Sequence, residues 1–362
     1  MGKTRTAGGS SRPTIRDVAR EARVAPTTVS AILNQREHCY ASEQTRKRVN
    51  DVARKLGYRP NVLARALNGK RTLTIGLTLA DFNTEMSTRK IAAVEANARK
   101  AGYAVITACN EGTAEMEDRT LQLLLDRVVD GVVVYPVPGG DHARLRQLVE
   151  SGFPIVTFDG VGLLDFPTWD VSIDSVAAGR MQVEHLLERG CRRIAVVEVS
   201  PNCWTNECKA EGMLKALNDA GLSPADRFVV HRENDETYVG QPVFEQLREW
   251  LKRNADSLDG VSVIGDLLAM NVLRAAGELG IKVPDDLAVI GQDGIAAGEV
   301  GFVPLSTVTQ DSEAIGRKAF EMLKQLIEGK LKGSPKRKIV KPRLIVRTST
   351  AGMCTTSDSK NK

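Results

Sequence analysis

Hydrophobic positions follow two different rhythms along the chain. In the first sixty residues they fall at helical spacing. Ile15, Val18, Ala19 and Ala22 make one apolar face, Val29, Ile32 and Leu33 a second, and Val49, Val52, Ala53 and Leu56 a third. Thr14 and Asp17 suit the start of the first helix, as acceptor for free amides and as negative charge at the positive helix end. Pro26 suits a first helical position, where no amide hydrogen is needed. The third helix runs from a Ser42 cap to Gly57. This phasing turns Thr27, Thr28, Ala31 and Asn34 outward on the second helix, and Arg46, Lys47, Arg48, Arg54 and Lys55 largely outward on the third. Two short helices joined by about four residues, the second with small polar residues on its outer N-terminal face, have the form of a helix-turn-helix. Any three-helix bundle shares the hydrophobic pattern, so spacing alone leaves both readings open.

From Leu73 onward continuous apolar runs alternate with amphipathic stretches. The runs cover 73–79, 103–107, 131–135, 154–158, 193–199, 227–230, 260–264 and 287–291, and glycines such as Gly102, Gly152, Gly190, Gly221 and Gly280 end the stretches before many of them. Glycine fits the left-handed position that stops a helix. Buried strands separated by helices imply parallel sheets. At least eight such units without an internal repeat fit two doubly wound lobes better than one closed barrel. A late helix over 311–329 and a strand over 339–346 are placed to cross back between the lobes.

Charge sharpens the division. Residues 1–71 hold sixteen Lys/Arg against five Asp/Glu, whereas the remainder holds thirty-four against forty. A basic head on a slightly acidic body is the electrostatic footprint of a phosphate-backbone binder. The basic stretch 330–347 reads instead as a solvated face. No apolar run approaches the roughly 18 residues of a membrane span, and the polar start lacks an export-signal core, so a cytoplasmic protein is expected. The six cysteines show no CxxC pair and no metal-like spacing with the histidines; they read as free thiols, with neither metal nor cofactor expected.

Enzyme chemistry finds little support. The first strand-to-helix turn, Leu79-Ala-Asp-Phe-Asn-Thr-Glu-Met, has no glycine for a dinucleotide, and no P-loop is present. His142, His185 and His231 are scattered outside any nucleophile motif. Asp81, Asp159, Asp266 and Asp293 close or follow apolar runs, where carboxylates more often hold ligand hydroxyls or cap helices than catalyse.

The run Thr14-Ile-Arg-Asp-Val-Ala-Arg-Glu-Ala-Arg-Val-Ala-Pro-Thr-Thr-Val-Ser-Ala-Ile-Leu-Asn34 resembles the DNA-binding head of the lactose/galactose-repressor (LacI/GalR) family. So do Thr45-Arg46-x-x-Val49 and Leu56-Gly-Tyr-Arg-Pro-Asn61-x-x-Ala64-Arg65-x-Leu67. The resemblance implies that the helix from Pro26 enters the major groove, with Thr27 and Thr28 reading bases or phosphates and Thr14, Ser30 and Asn34 on the backbone. Ala25 stands where the family usually has a capping serine. Ala31 stands where it often has an arginine; it can meet a thymine methyl but not guanine in a bidentate contact. In the family a hinge helix orders on operator and levers a leucine into the minor groove, the role implied for Leu67, with Asn61, Ala64 and Arg65 beside it.

The body resembles the same family and, with it, the periplasmic sugar-binding proteins. Leu73-Thr-Ile-Gly76, Asp130-Gly-Val-Val-Val134, Pro154-Ile-Val-Thr-Phe-Asp159, His185-Leu-Leu-Glu-Arg-Gly190, Val289-Ile-Gly291 with Asp293, and Pro304-Leu-Ser-Thr-Val308 carry it. The resemblance implies an effector between the lobes, held by Asp159 and Asp293. Lys209 replaces a family arginine, and Gly265-Asp266 replaces Asn-Asp. Phe82, Trp169, Trp204 and Tyr238 are the loop aromatics, of which Phe82 and Tyr238 join the expected effector set; each has a lobe-interface or surface role as its alternative.

The expected organisation is a disordered basic arm over 1–12, a helix-turn-helix domain over 13–58, a hinge helix and linker over 59–71, a two-lobed effector and dimerisation domain over 72–349, and a disordered tail over 350–362. The expected protein is a homodimeric transcriptional regulator, a repressor before an activator. It takes double-stranded operator DNA and a small-molecule effector, a carbohydrate among the candidates. The alternatives are a solute-binding protein, against which the basic head argues, a non-catalytic sensor, and a doubly wound enzyme.

Overall fold

Local sequence signals set the head's helices where the periodicity places them. Thr14 caps α1 (Ile15–Ala22): its hydroxyl accepts from the Asp17 amide at 3.3 Å, and the Asp17 carboxylate accepts the Thr14 amide at 2.9 Å. This reciprocal box satisfies donors that a helix start otherwise leaves open. After a left-handed Arg23, α2 (Pro26–Leu33) begins on its proline, and α3 (Glu43–Leu56) runs from the Ser42 cap to a left-handed Gly57. Val18, Ala19, Ala22, Val29, Ile32, Val49 and Ala53 bury together as the head's core. The coordinates are a computed structural model and describe residues 13–33, 40–58, 71–80, 82, 84–160, 162–200, 204–231 and 240–352. The chain divides into two compact units, Met1–Thr72 and Leu73–Lys362.

The second unit holds two six-stranded sheets. The first has the order β11-β5-β4-β3-β1-β2, built from β1 (Thr74–Leu79), β2 (Ala104–Cys109), β3 (Val132–Val134), β4 (Ile155–Phe158), β5 (Trp169–Ile173) and β11 (Arg337–Val340), all parallel. The second has the order β12-β10-β9-β8-β6-β7, from β6 (Ile194–Ser200), β7 (Asp226–His231), β8 (Gly260–Val263), β9 (Ala288–Asp293), β10 (Ser306–Thr309) and β12 (Arg343–Ile345); only β12 runs antiparallel. Two separate apolar clusters line the two faces of the first sheet, the mark of a doubly wound lobe.

The first lobe's helices are α4 (Glu85–Lys100), α5 (Ala114–Asp126) and α6 (Ala143–Glu150), and the second lobe's are α7 (Ser175–Glu188), α8 (Trp204–Asp219), α9 (Gln241–Asn254) and α10 (Asp266–Glu278). After the short α11 (Ala297–Val300) and β10, α12 (Ser312–Ile327) returns to pack its Ile315, Phe320 and Leu323 on the first sheet. The lobes are therefore joined where β5 leads to α7, β10 to α12 and β11 to β12. Helices α7 and α8 approach so closely that a Cβ on Gly179 would lie 1.9 Å from the Lys209 carbonyl oxygen. Among the described residues no helix is long and apolar enough to cross a membrane.

Several expectations change. The strand expected over 339–346 is two strands, because Lys341 and Pro342 interrupt it and send β11 and β12 to different sheets. Strands β5 and β10 carry too many polar residues to form an apolar run, and Trp169 opens β5 rather than lying in a loop. The tail expected to be disordered from 350 starts with a fully buried Thr350, whose hydroxyl pairs with His185 Nε2 and Ser306 Oγ, each at 2.7 Å. Burial there pushes the His185 pKa down, because charging the ring would strand it away from water. The free-thiol reading holds for Cys109 and Cys208 but not for Cys191, which is disulfide-bonded.

Candidate functional site

In the head, packing of Val29 and Ile32 into the core fixes which side of α2 faces out. Pro26 and Thr27 are exposed, and Thr28, Ser30 and Ala31 are half-buried. The turn before α2 is closed by the Ala25 carbonyl, which accepts from the Thr28 and Val29 amides at 2.9 and 3.1 Å. Ala25 itself has no side-chain oxygen to cap with. Thr14 is exposed but its hydroxyl is engaged with Asp17 at 2.7 Å, and these bonds hold the Asp17 pKa below the ordinary carboxylate value. Part of the basic charge expected to face phosphates instead ties the head together. Arg48 Nε donates to the Ala22 carbonyl at 3.0 Å, and Lys55 pairs with Glu21 at 3.3 Å. Lys47 and Arg54 remain exposed. Asn34, Asn61, Ala64, Arg65 and Leu67 lie outside the described residues.

In the body, Asp159 follows β4, Asp293 ends β9, and Asp266 opens α10 after β8. These are carboxyl ends of parallel strands, where doubly wound folds place ligands. Lys209, Asp266 and Asp293 come together in the second lobe. Lys209 Nζ donates to the Ile264 carbonyl at 3.0 Å and lies 3.4 Å from Asp293 Oδ1, which also accepts from Gln310 Nε2 at 2.8 Å. Asp266 is spent within the lobe: Oδ2 accepts the Gly294 and Ile295 amides at 2.8 and 3.0 Å, and Oδ1 accepts the Thr307 hydroxyl at 2.7 Å. It is fully buried, so the structure turns it from an effector contact into the anchor of the loop after Asp293. Burial, then the Asp293 charge, push its pKa up to about 6.

Asp159 is held by its own lobe. Lys90 on α4 donates to its Oδ2 at 3.1 Å, both side chains are buried, and the same ammonium stands 5.6 Å from the Phe158 ring centre. Next to this pair, Asp170 accepts from Thr157, Gly160 and Ser172, and burial raises its pKa. Lys90, Asp170 and Gln310 were missed by the sequence reading. A lysine on the helix following the first strand was the available signal for Lys90; Gln310, two residues past Pro304-Leu-Ser-Thr-Val308, had a motif beside it. Phe82 is half-exposed, and Tyr238 and Asp81 lie outside the described residues.

Trp204, the first residue of α8, takes the lobe-interface role. A Cβ on Gly162, in the first lobe's loop after β4, would fall 2.1 Å from Trp204 Cε2, so the indole rests on a position open only to glycine. Gly162 also has φ +89°, a conformation that other residues adopt at a steric cost.

Comparison with known proteins matches both units. Residues 14–61 match the lacI family of bacterial regulatory proteins, and residues 183–350 match the periplasmic binding protein-like domain. The HTH-type transcriptional repressor PurR of Salmonella paratyphi A is 32% identical over 346 residues, covering 93% of this chain and 97% of the relative. Among solved structures, the lac repressor dimer bound to operator and the anti-inducer ONPF superposes with TM-score 0.81 at 24% identity, covering 94% of this chain and 99% of that one. The transcriptional regulator CelR in complex with cellobiose gives 0.66 at 28%, covering 93% and 100%. The first of these structures speaks for the fold; the PurR relative speaks for the family. A helix-turn-helix unit, a two-lobed body with strand-end carboxylates and a near-full-length relative agree, and the chain belongs to the LacI family of DNA-binding, non-enzymatic transcriptional regulators.

Proposed function

We propose that this protein is a repressor that binds a pseudo-palindromic operator as a homodimer and responds to a small molecule held by Asp159, Asp293 and Lys209. The observation that carries the DNA reading is the outward N-terminal face of α2, Pro26, Thr27, Thr28 and Ala31, above a core formed by Val29 and Ile32. Short side chains there let the helix approach base edges closely, and Ala31 suits a thymine methyl. Thr14, Ser30, Asn34 and Arg65 are assigned to backbone positioning, and Asn61, Ala64 and Leu67 to a hinge over 59–71.

For the effector, CelR with its cellobiose supports a hydroxyl-bearing ligand. Two features narrow it: Lys209 offers a point charge without a planar fork, and Gly265 offers no side-chain amide. Phe82 and Tyr238 are assigned to the same ligand. Fully exposed Phe302 and largely exposed Val300 supply apolar surface for the second copy. The working place of such a regulator is the cytoplasm, at the nucleoid. A selection of bound duplexes from a random pool, followed by footprinting at moderate salt, tests the reading. Enrichment of a two-fold site supports it; equal affinity for random and selected duplexes overturns it.

A further inference from the structure

Strands β8 and β9 pair in register only as far as Ser262 and Ile290, whereas β9 goes on pairing with β10 up to Asp293. A side chain bridges the two strands just past that last rung. Gln182 on α7 is fully buried, and its Nε2 donates to the Val263 carbonyl at 2.9 Å and to the Gly291 carbonyl at 2.8 Å. Two acceptors fix the orientation of the amide, because only its NH2 end has two hydrogens to give. The other end, Oε1, is buried with no hydrogen-bond partner among the described residues. An open buried acceptor costs free energy that an apolar side chain of the same length would avoid. The two bonds, and not the packing, account for a glutamine at this position.

We propose that Gln182 is a positioning residue, whose amide stands in for the missing rung between β8 and β9 and sets the spacing of the groups that follow. One of those groups is the Ile264 carbonyl, directly after Val263, which accepts from Lys209. Another is Asp293, two residues past Gly291, beside the same ammonium. The Ile264 amide is tied to the Val197 carbonyl on β6 at 3.2 Å, so β8 is fixed on its far side and the rung governs its separation from β9. Asp266 reaches across the same gap to the Gly294 and Ile295 amides. Without the rung the strand ends spread, Lys209 spans a longer distance to Asp293, and Asp266 lies further from the Asp293 charge. What this spacing means for an effector rests on the proposed function; the rung itself rests on contacts within the second lobe.

A carboxyl-carbon NMR titration of the aspartate-labelled, full-length protein tests it without any ligand. Gln182→Met keeps the length of the side chain and removes both bonds. Gln182→Asn keeps the amide but is one methylene too short to span both carbonyls. Gln246→Met is the control: Gln246 clamps the His231 amide and carbonyl at 2.9 and 2.8 Å, but on the edge strand β7. Asp266 should titrate at about 6 in the wild type and in Gln246→Met. In both Gln182 variants it should move toward the ordinary 3.8, holding its proton about tenfold less tightly, as Asp293 recedes and water reaches the gap. A packing role would lower the urea midpoint and leave this titration where it was. An unchanged Asp266 midpoint in a folded Gln182→Met or Gln182→Asn protein overturns the proposal, as does an equal fall in Gln246→Met. Because no ligand enters the measurement, it judges the rung whether or not the effector reading stands.

Discussion

Lys209 Nζ stands 3.4 Å from Asp293 Oδ1 while donating to the Ile264 carbonyl at 3.0 Å, so one ammonium joins the ends of β8 and β9. The same Asp293 oxygen accepts from Gln310, on the crossing segment that leads into α12 and the first lobe. A ligand hydroxyl reaching Asp293 would compete with groups from two elements at once. That places the carboxylate where a small displacement can be felt by both lobes.

Removing the cation should therefore cost stability before any ligand is involved. Lys209→Met leaves a half-buried carboxylate without its main compensating charge, and a loss of about 2 kcal/mol is expected in urea unfolding near neutral pH. Adding Asp293→Asn should recover part of that loss, because the stranded charge is gone. Strictly additive losses would show that the pair is not coupled.

Asp266 gives the body a distinct pH signature. Its folded-state pKa of about 6 exceeds the ordinary value of 3.8, so the folded chain holds a proton that the unfolded chain releases. Stability should then fall as pH rises from about 4 to about 6 and level off above, a penalty on the order of 3 kcal/mol at neutral pH. Asp266→Asn should flatten that slope in thermal unfolding while lowering stability overall, because its NH2 group cannot accept the bonds that one carboxylate oxygen now receives. Parallel profiles for the two proteins would refute the assignment.

Two glycine substitutions separate close packing from helix propensity. Gly179→Ala drives a methyl into the Lys209 backbone, at 1.9 Å from its carbonyl oxygen, and should abolish or severely weaken folding of the second lobe. Gly277→Ala, in a helix with open space around it, should stabilise by about 0.5–1 kcal/mol. Circular dichroism melts of both variants check the contrast.

Much of this architecture was legible in the chain because buried parallel strands advertise themselves as continuous apolar runs. The head was legible for a different reason: Thr14, Pro26, Ser42 and Gly57 each carry a local stop or start signal. Strand β10 escaped because Ser306, Thr307 and Thr309 are buried polar residues whose partners, such as Asp266 for Thr307, come from elsewhere in the fold. The same cause hid the fate of Asp266. Its position at a strand end suggested ligand binding, and only the fold reveals that Gly294, Ile295 and Thr307 have already taken its oxygens. Lys90 was invisible as a partner of Asp159 because sixty-nine residues separate them in sequence. Trp204 is the intermediate case: its lobe-interface role was one of two open readings, and Gly162 decides it.

On the head, Thr27→Ala removes an exposed hydroxyl and should leave the melting temperature of the protein unchanged while altering the preferred half-site. Arg48→Ala should do the opposite. It breaks the bond to the Ala22 carbonyl and should lower the head's stability by about 1 kcal/mol, leaving the preferred sequence intact. Selected-site sequencing alongside thermal melts distinguishes the two effects.

The most direct measurement is the selection of duplexes by the full-length protein, followed by footprinting of the winning site across a salt series. The account predicts a two-fold pseudo-palindrome protected in both halves, about one helical turn apart, with affinity falling steeply as salt rises. It predicts that the Thr27→Ala protein selects a different base in each half at the same positions. A protein that binds every duplex alike, or whose site preference ignores Thr27 and Thr28, would contradict it.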